Sequence, residues 1–155
     1  MKTVEKIVSG GQTGVDRGAL DAALSRGFPC GGYCPKGRLA EDGNIPESYP
    51  LTELNYGSYA ERTLRNVLES DGTAVIYFDV LEGGTKQTVE NCRGHHKPYL
   101  LIDGSQLKVA RAAILIEEFV SSCHIQILNV AGPRSSKSPI AHAYTFDVIT
   151  ALLQT

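Results

Sequence analysis

The sequence lacks a long apolar run and an excess of charge of either sign, and each absence excludes a class of protein. No apolar run approaches the ~20 residues that a membrane span needs, and residues 1–6 show no apolar region of a signal peptide. Lysine and arginine number 15 against 17 aspartates and glutamates, so the formal net charge is −2. This balance provides no bulk attraction to nucleic acid or to an acidic membrane. We therefore expect a cytoplasmic protein without a nucleic-acid or membrane partner.

Cysteine is scarce and irregularly spaced. Of the four cysteines, only Cys30 and Cys34 lie close together, while Cys92 and Cys123 stand apart. A structural zinc site typically draws on two tight pairs, and unpaired buried thiols are the usual state of cytosolic cysteine. We predict no structural metal; whether Cys30 or Cys34 contacts a metal stays open at this point.

The 155 residues, 42% of them hydrophobic and 21% charged, suffice for one domain with a sizeable core. Strand patterns alternate with helix patterns along the chain. The predicted strands are 6–8, 28–33, 73–78, 98–102 and 125–130, and the predicted helices are 15–26, 59–69, 85–92, 107–120 and 140–153. Residues 34–56, rich in proline, glycine and charge, form an ordered excursion. The alternation predicts an α/β fold, a Rossmann-like doubly wound parallel sheet in a single three-layer domain over residues 1–155.

Three glycine-bearing loops follow predicted strands, at 9–14, 82–85 and 131–137. Ligands of such sheets bind at the carboxyl ends of the strands, where the strand order reverses. Each loop leads into a helix N-terminus, whose free N–H groups and dipole favour an anion. A single such loop is explained by turn geometry alone, whereas three at one edge favour a phosphate or oxyanion site.

The candidate ligand-binding residues lie on these loops or in the excursion. They are Gly10, Gly11, Gln12, Thr13 and Gly14 in the first loop, Gly83, Gly84 and Thr85 in the second, Gly132, Arg134 and Ser135 in the third, and Lys36 and Arg38 in the excursion. Arg134 is favoured because a guanidinium binds oxyanions in bidentate fashion. Lys36 and Arg38 either clamp an anion or are simply solvated. Arg62, in the middle of a predicted helix, is expected to be a surface charge.

Two acidic residues are the catalytic candidates. Asp16 either contacts a ligand or stabilises the start of its helix, and Glu90 forms a salt bridge by default. No histidine accompanies a Ser or Cys nucleophile, so no triad is predicted. The first loop misses the dinucleotide fingerprint because Ser9 stands at the first glycine position, and the last loop lacks both glycines of a P-loop. Classical NAD binding and Walker-type ATP hydrolysis are therefore not predicted.

Residues 7–21, IVSGGQTGVDRGALD, resemble the opening signature of the putative molybdenum carrier family. Similar segments are GGYCPKGR at 31–38, EDG at 41–43, GGT at 83–85 and NVAGPR at 129–134. The family is similar to LOG-like (lysine-decarboxylase-like) Rossmannoid proteins, which implies a doubly wound sheet over the whole chain and a nucleotide-type ligand. Its name implies carriage of molybdenum cofactor, a pterin that bears a phosphate and a metal oxyanion. The resemblance also implies a homodimer, for which helix 109–120 could supply the surface.

Three functions are compatible with this sequence. The favoured one is a binding protein for a phosphorylated nucleotide- or pterin-type ligand, with molybdenum cofactor as the cargo. The alternative is a nucleotide N-glycosidase, since LOG-like phosphoribohydrolases carry P-G-G-x-G-T-x-x-E. Here EGGTKQTVE at 82–90 keeps the Gly-Gly pair, the Thr and the Glu but lacks the leading Pro and the third Gly. A third possibility is a subunit that acts only through protein contacts.

Overall fold

The computed structural model of this protein describes residues 4–154, in which strands and helices alternate. The elements are β1 (Lys6–Val8), α1 (Val15–Ser25), β2 (Cys30–Gly31), β3 (Tyr33–Cys34), a 3-10 turn (Lys36–Arg38), β4 (Leu39–Ala40), β5 (Gly43–Asn44), β6 (Thr52–Glu53), α2 (Tyr59–Leu68), β7 (Gly72–Tyr77), α3 (Gly83–Gly94), β8 (Tyr99–Asp103), α4 (Val109–Cys123), β9 (Ile127–Ala131) and α5 (Ala141–Leu153).

Five parallel strands form the central sheet in the order β2-β1-β9-β7-β8. β7 is apolar or β-branched from Thr73 to Ile76 and buried throughout, as expected for a strand covered on both faces. β9 lies in the middle, where Leu128 pairs with Ile7 of β1 and Asn129 with Thr73 of β7. The last strand of the chain therefore completes the centre of the sheet.

Helices cover both faces of this sheet. α1, α4 and α5 pack together on one face, and α2 packs with α3 on the other, as right-handed crossovers require. α1 turns the small residues Ala19, Ala22 and Ala23 into the core. Gly18 brings α1 close to α5, because a Cβ at this position would lie 2.6 Å from the carbonyl oxygen of His142.

The predicted fold, a Rossmann-like doubly wound α/β sheet, is confirmed, and two of the differences in element boundaries bear on the site. Residues 28–33 do not form one strand, because β2 joins the central sheet whereas β3 pairs with β6. Between them Gly32 has a φ of 125°, and a Cβ there would lie 2.2 Å from the Ser9 carbonyl oxygen. α3 begins at Gly83, so the second glycine loop is the first turn of the helix itself.

The excursion, residues 34–56, folds around a small core of its own. Cys34, Ala40 and Ile45 are buried there beside Tyr49 and Leu51. The guanidinium of Arg38 donates hydrogen bonds to the carbonyl oxygens of residues 45, 46, 49 and 51. The excursion is tied to α1 because the Tyr49 hydroxyl donates to Asp21, at 2.7 Å.

The apolar helix α4 buries most of its hydrophobic side. Ala112, Ala113, Ile116 and Val120 face the core, while Ile114 is 45% exposed. Packing against the sheet and α5 accounts for the buried residues, and pairing of two copies through this helix stays a prediction. Over residues 4–154, no helix is both long enough and apolar enough to cross a bilayer.

The contact of α1 with α5 predicts different effects for two helical glycines. Gly18→Ala should lower the free energy of unfolding by about 1–3 kcal/mol, because its methyl group overlaps the backbone of α5. Gly94→Ala makes the same change at the end of α3, where a Cβ meets nothing within 4 Å, and should be neutral or slightly stabilising. Urea unfolding of both variants measures the difference, and equal stabilities would contradict the close α1–α5 packing.

Candidate functional site

A cavity of about 500 Å3 opens at the carboxyl ends of β1, β9 and β7. The loops after β1 and β9 lead to helices on one face of the sheet, while the loop after β7 leads to α3 on the other. This divergence makes the crevice between β9 and β7 the place where a doubly wound sheet binds ligands. All three predicted glycine loops contribute to the lining, through Gly10 and Gln12, through residues 82–85, and through residues 131–134.

The first loop does not offer its backbone donors to the cavity in the way the sequence suggests. Asp16, which is 6% exposed, turns its carboxylate back into the loop, where Oδ2 accepts the Gln12 N–H at 3.2 Å. Burial raises the pKa of the Asp16 carboxyl, while the charge of Arg62 and hydrogen bonds from Gln12, Ser9 and Gly10 oppose the rise. A carboxylate of the chain itself thus occupies part of the predicted phosphate cradle.

Arg62 is buried and lines the cavity, so the expectation of a surface charge is wrong. Its side chain is 10% exposed and lies 3.6 Å from Asp16, and Nη1 donates to the Gly10 carbonyl oxygen at 3.0 Å. Tyr59 packs on its guanidinium with a centroid distance of 5.3 Å. The burial follows from the need of the Asp16 carboxylate for a cationic partner away from water.

A polar stripe on α2 could have revealed this face from the sequence. Tyr59, Arg62, Thr63 and Asn66 are spaced by three, one and three residues, so they share one side of the helix, and all four line the cavity. Asn66 is held in place because its amide exchanges two hydrogen bonds with the backbone of Tyr33, at 2.8 and 3.0 Å. Residues of this stripe therefore both line the cavity and, in the case of Asn66, hold α2 to the backbone of β3.

The N-terminus of α3 forms the opposite wall of the cavity. In the described part of the chain, no hydrogen bond uses the N–H groups of Gly83, Gly84 or Thr85. A Cβ at Gly84 would meet nothing within 4 Å, so this turn faces open space. Free N–H groups at the positive end of a twelve-residue helix are suited to an anion.

Two cations from the loop after β9 stand at the same cavity. Arg134 lines it with a side chain that is 42% exposed, and Lys137 is exposed without an ion-pair partner among residues 4–154. Nε of Arg134 lies 3.2 Å from both the Glu41 carboxylate and the Ser136 hydroxyl. Its two Nη groups donate no hydrogen bond to a described residue, which leaves them available to a ligand.

Glu41, which lies in the EDG segment but was not among the candidate site residues, joins the excursion to two of the loops. Its carboxylate accepts hydrogen bonds from the Thr13 hydroxyl and from the Ser136 hydroxyl and N–H. Partial burial acts to raise the pKa of the Glu41 carboxyl, but these hydrogen bonds and the charge of Arg134 hold it below its ordinary value of 4.5. Glu41 stays ionised where a free glutamate begins to protonate.

Other candidates lie outside the cavity lining, and the structure gives most of them packing roles. A Cβ on Gly11 would collide with Leu51, and one on Gly14 with the backbone of the last loop, so both glycines permit close packing. The Thr13 hydroxyl accepts the Ser135 N–H at 3.1 Å. Lys36, Arg38 and the exposed Glu90 do not line the cavity either, since the first two lie in the excursion and Glu90 lies further along α3.

The model of the Circularly permutated YpsA SLOG family matches residues 7–153. The chain belongs to this family. A crystal structure of a "Putative molybdenum carrier protein" from Syntrophus aciditrophicus SB is 45% identical and has a TM-score of 0.95, covering 98% of this chain and 96% of that one. No curated protein matches the chain. The resemblance to putative molybdenum carriers is thereby confirmed.

Circular permutation, the feature that gives the family its name, explains the strand order. Counted from β9 as the first strand, with β1, β2, β7 and β8 following, the sheet order β2-β1-β9-β7-β8 becomes 3-2-1-4-5. This is the order of a doubly wound nucleotide-binding sheet. The loop after β9 therefore occupies the position of the first βα turn, where such folds hold phosphate.

Cys30 and Cys34 are not part of a group of metal-ligating side chains among the described residues. Within residues 4–154, no group of three or more His, Cys, Asp or Glu side chains is placed to hold a metal ion. Burial raises the pKa of both thiols, which disfavours the thiolate form that binds metals.

Replacing Arg62 should show how much the fold depends on the buried ion pair. Arg62→Leu leaves the Asp16 carboxylate buried without its cation, so the free energy of unfolding should fall by about 3–5 kcal/mol. Arg65→Leu, one turn along α2 on a 41% exposed side chain, should cost less than about 1 kcal/mol. Chemical denaturation compares the two, and similar losses would exclude a special role for the pair. Adding Asp16→Asn to Arg62→Leu should recover part of the loss, since it removes the unpaired charge.

Acid titration should show that the stability of the fold depends on the ionisation of Glu41. Because the folded pKa of Glu41 lies below 4.5, its ionised form stabilises the fold above that pH, and this contribution disappears as the pH falls through the folded pKa. The stability of Glu41→Gln should therefore decline less steeply than that of the wild type below pH 4.5. Glu47→Gln, which alters a 90% exposed side chain of the same excursion, should follow the wild-type slope. Identical slopes for all three proteins in thermal melts across this range would contradict the linkage.

Proposed function

We propose that this protein binds a phosphorylated nucleotide- or pterin-type ligand and acts as a carrier, with molybdenum cofactor as the candidate cargo. The observation that supports this most directly is the combination of volume and donors in one cavity. About 500 Å3 lies within the range of sites for small organic molecules. A bare tetrahedral oxyanion has only five heavy atoms and would leave most of this space to water.

The phosphate of such a ligand fits the end of the cavity between α3 and the loop after β9. Residues 83–85, whose N–H groups form no hydrogen bond within the described residues, line this end of the cavity, and Arg134 and Lys137 line the same cavity. Arg62 does not add net charge, because Asp16 neutralises it. Glu41 pairs with Arg134, and Glu82 lies in the same lining, so hydrogen-bond donors and the α3 dipole, rather than net charge, support an anion at this end of the cavity.

The ring system fits the remaining walls, which are aromatic and amide-bearing. Tyr59, Tyr77 and Phe78 line the cavity and offer faces on which a heterocycle stacks. Gln12 and Asn129 are buried amides in the same lining. The Gln12 carbonyl is already used by the N–H groups of Thr13 and Glu41, so its NH2 group is the part available to a ring.

The carrier part of the proposal is supported by the name of the similar crystal structure, a putative molybdenum carrier protein. Molybdenum cofactor combines a pterin ring with a phosphate, the two features that the cavity walls accommodate. The free thiols of Cys30, Cys34, Cys92 and Cys123 accord with a reducing compartment, and we propose the cytoplasm. A homodimer is part of the same proposal.

Hydrolysis of a nucleotide is less well supported than binding. Glu90, the glutamate that matches the LOG-like motif, is exposed and is not part of the cavity lining. Asp16 lines the cavity but is engaged by Gln12 and Arg62. A general acid or base needs an atom within reach of the substrate, and here this atom is already surrounded by protein donors.

Native mass spectrometry of freshly purified protein tests the proposal directly. We expect an adduct whose mass, after denaturation, matches a phosphorylated nucleotide or a pterin, together with molybdenum in elemental analysis if the cargo is molybdenum cofactor. The same protein stripped of adduct should bind guanosine 5′-monophosphate as a probe in isothermal titration calorimetry. Absence of any adduct together with absence of probe binding would refute the proposal.

Valine substitutions at two glycines of α3 test whether the phosphate of the probe binds at the N-terminus of this helix. Gly84→Val fills the open space at the N-terminus of the helix and should weaken probe binding by about tenfold or more, since charge-assisted hydrogen bonds are lost. Gly94→Val makes the same change at the other end of the helix and should bind as the wild type does. Equal affinities of the two variants would place the phosphate elsewhere, and a protein acting only through protein contacts would show no small-molecule affinity to change.

A further inference from the structure

Arg134 needs support if it is to hold an anion in a fixed position. Its side chain is 42% exposed. A long exposed arginine samples many rotamers, and binding must overcome that entropy unless the rotamer is already fixed. In this structure the support comes through Nε, which lies 3.2 Å from the Glu41 carboxylate and 3.2 Å from the Ser136 hydroxyl.

The Glu41 carboxylate is itself fixed by neighbours from two loops. Oε1 accepts the Ser136 hydroxyl at 2.5 Å, and Oε2 accepts the Ser136 N–H at 3.2 Å together with the Thr13 hydroxyl. The same Oε1 that accepts the Ser136 hydroxyl also lies 3.2 Å from Nε of Arg134. The Glu41 carboxylate thus contacts the Arg134 guanidinium at Nε. The two Nη groups of Arg134 donate no hydrogen bond to a described residue.

The turn that carries Glu41 is held to the first loop independently of its side chain. The Glu41 N–H donates to the Gln12 amide oxygen at 2.9 Å. The next residue, Asp42, receives both Nη groups of Arg17 at 2.6 and 2.9 Å, while Nε of Arg17 donates to the Gly11 carbonyl oxygen at 2.9 Å. The excursion is therefore fastened at this point by its backbone as well as by a bidentate ion pair.

We infer that Glu41 is a positioning residue, which orients Arg134 so that its two Nη groups face the phosphate of a ligand in the cavity. This inference rests on the proposed function and adds to it a residue of the excursion that does not line the cavity. It also gives the excursion a part in recognition, because a phosphorylated ligand then meets an arginine held from outside the cavity. Since Glu41 contacts Nε rather than the Nη edge, it supports the ligand's anion and does not compete with it.

The test is a double-mutant cycle with two probes, guanosine 5′-monophosphate and guanosine, in isothermal titration calorimetry. Glu41→Gln and Arg134→Ala should each weaken binding of the monophosphate by about tenfold, and the double variant should be no weaker than Arg134→Ala alone, because both changes remove the same interaction. Binding of guanosine should change less than about twofold in every variant, since it lacks the phosphate. Glu47→Gln, at an exposed position of the same excursion, serves as the matched control and should bind both probes as the wild type does.

Each outcome decides a separate question. Tighter binding of the monophosphate by Glu41→Gln would mean that the carboxylate competes with the ligand, and would overturn the inference. Additive losses, or equal losses for guanosine and its monophosphate, would mean that Glu41 merely supports the loops, and would also overturn it. In both cases wild-type binding still supports the proposed function. Failure of the wild type to bind either probe would remove the proposed function and the inference together.

Discussion

The buried carboxylate of Asp16 determines how the rest of the site is built. A charge at 6% exposure must be compensated within the protein, and here the compensation comes from the Gln12 N–H and from Arg62 on a helix 46 positions further along the chain. This need places α2 over the first loop and brings its polar stripe to the cavity. It also consumes donors that a phosphate would otherwise use. We therefore propose the anion site across the cavity, between α3 and the loop after β9.

Hydrophobic periodicity was sufficient to predict the fold because burial governs it. Continuous apolar runs such as 73–76 specify strands covered on both faces, and their alternation with helices specifies a parallel sheet. The break at Gly32 escaped prediction because it depends on an approach of the Ser9 carbonyl oxygen from another strand. The central position of β9 likewise escaped, since the order of strands in a sheet is set by tertiary contacts that a local pattern does not record.

The candidate site was predictable at the level of loops but not of individual atoms. A glycine can be present because neighbouring protein atoms leave no room for a side chain, or because the backbone faces an open cavity, and the sequence does not distinguish the two cases. At Gly11 and Gly14 the space of a side chain is filled by protein, whereas at Gly84 it is empty and faces the cavity. Arg62 and Glu41 were missed because each acts through a partner distant in sequence, Asp16 in one case and Arg134 in the other. The three-residue and four-residue spacings of polar side chains on α2 were the signal for Arg62. For Glu41 the only signal was its place in the EDG segment at 41–43, which resembles the family but does not reveal a role.

The excursion matters to this site because the central sheet alone cannot orient the cations of its last loop. The loop after β9 stands at the position of the first βα turn, yet Ala131 and Ser136 replace the glycines of a P-loop, so the sequence does not predict a P-loop cradle for a phosphate there. In the proposed site, side chains of this loop act beside the N–H groups of α3, and a flexible side chain binds an anion better when a second element supports it. Residues 41 and 42 of the excursion form ion pairs with Arg134 of that loop and with Arg17 of α1. If the inferred role of Glu41 holds, the excursion orients an arginine of the cavity from outside the cavity lining.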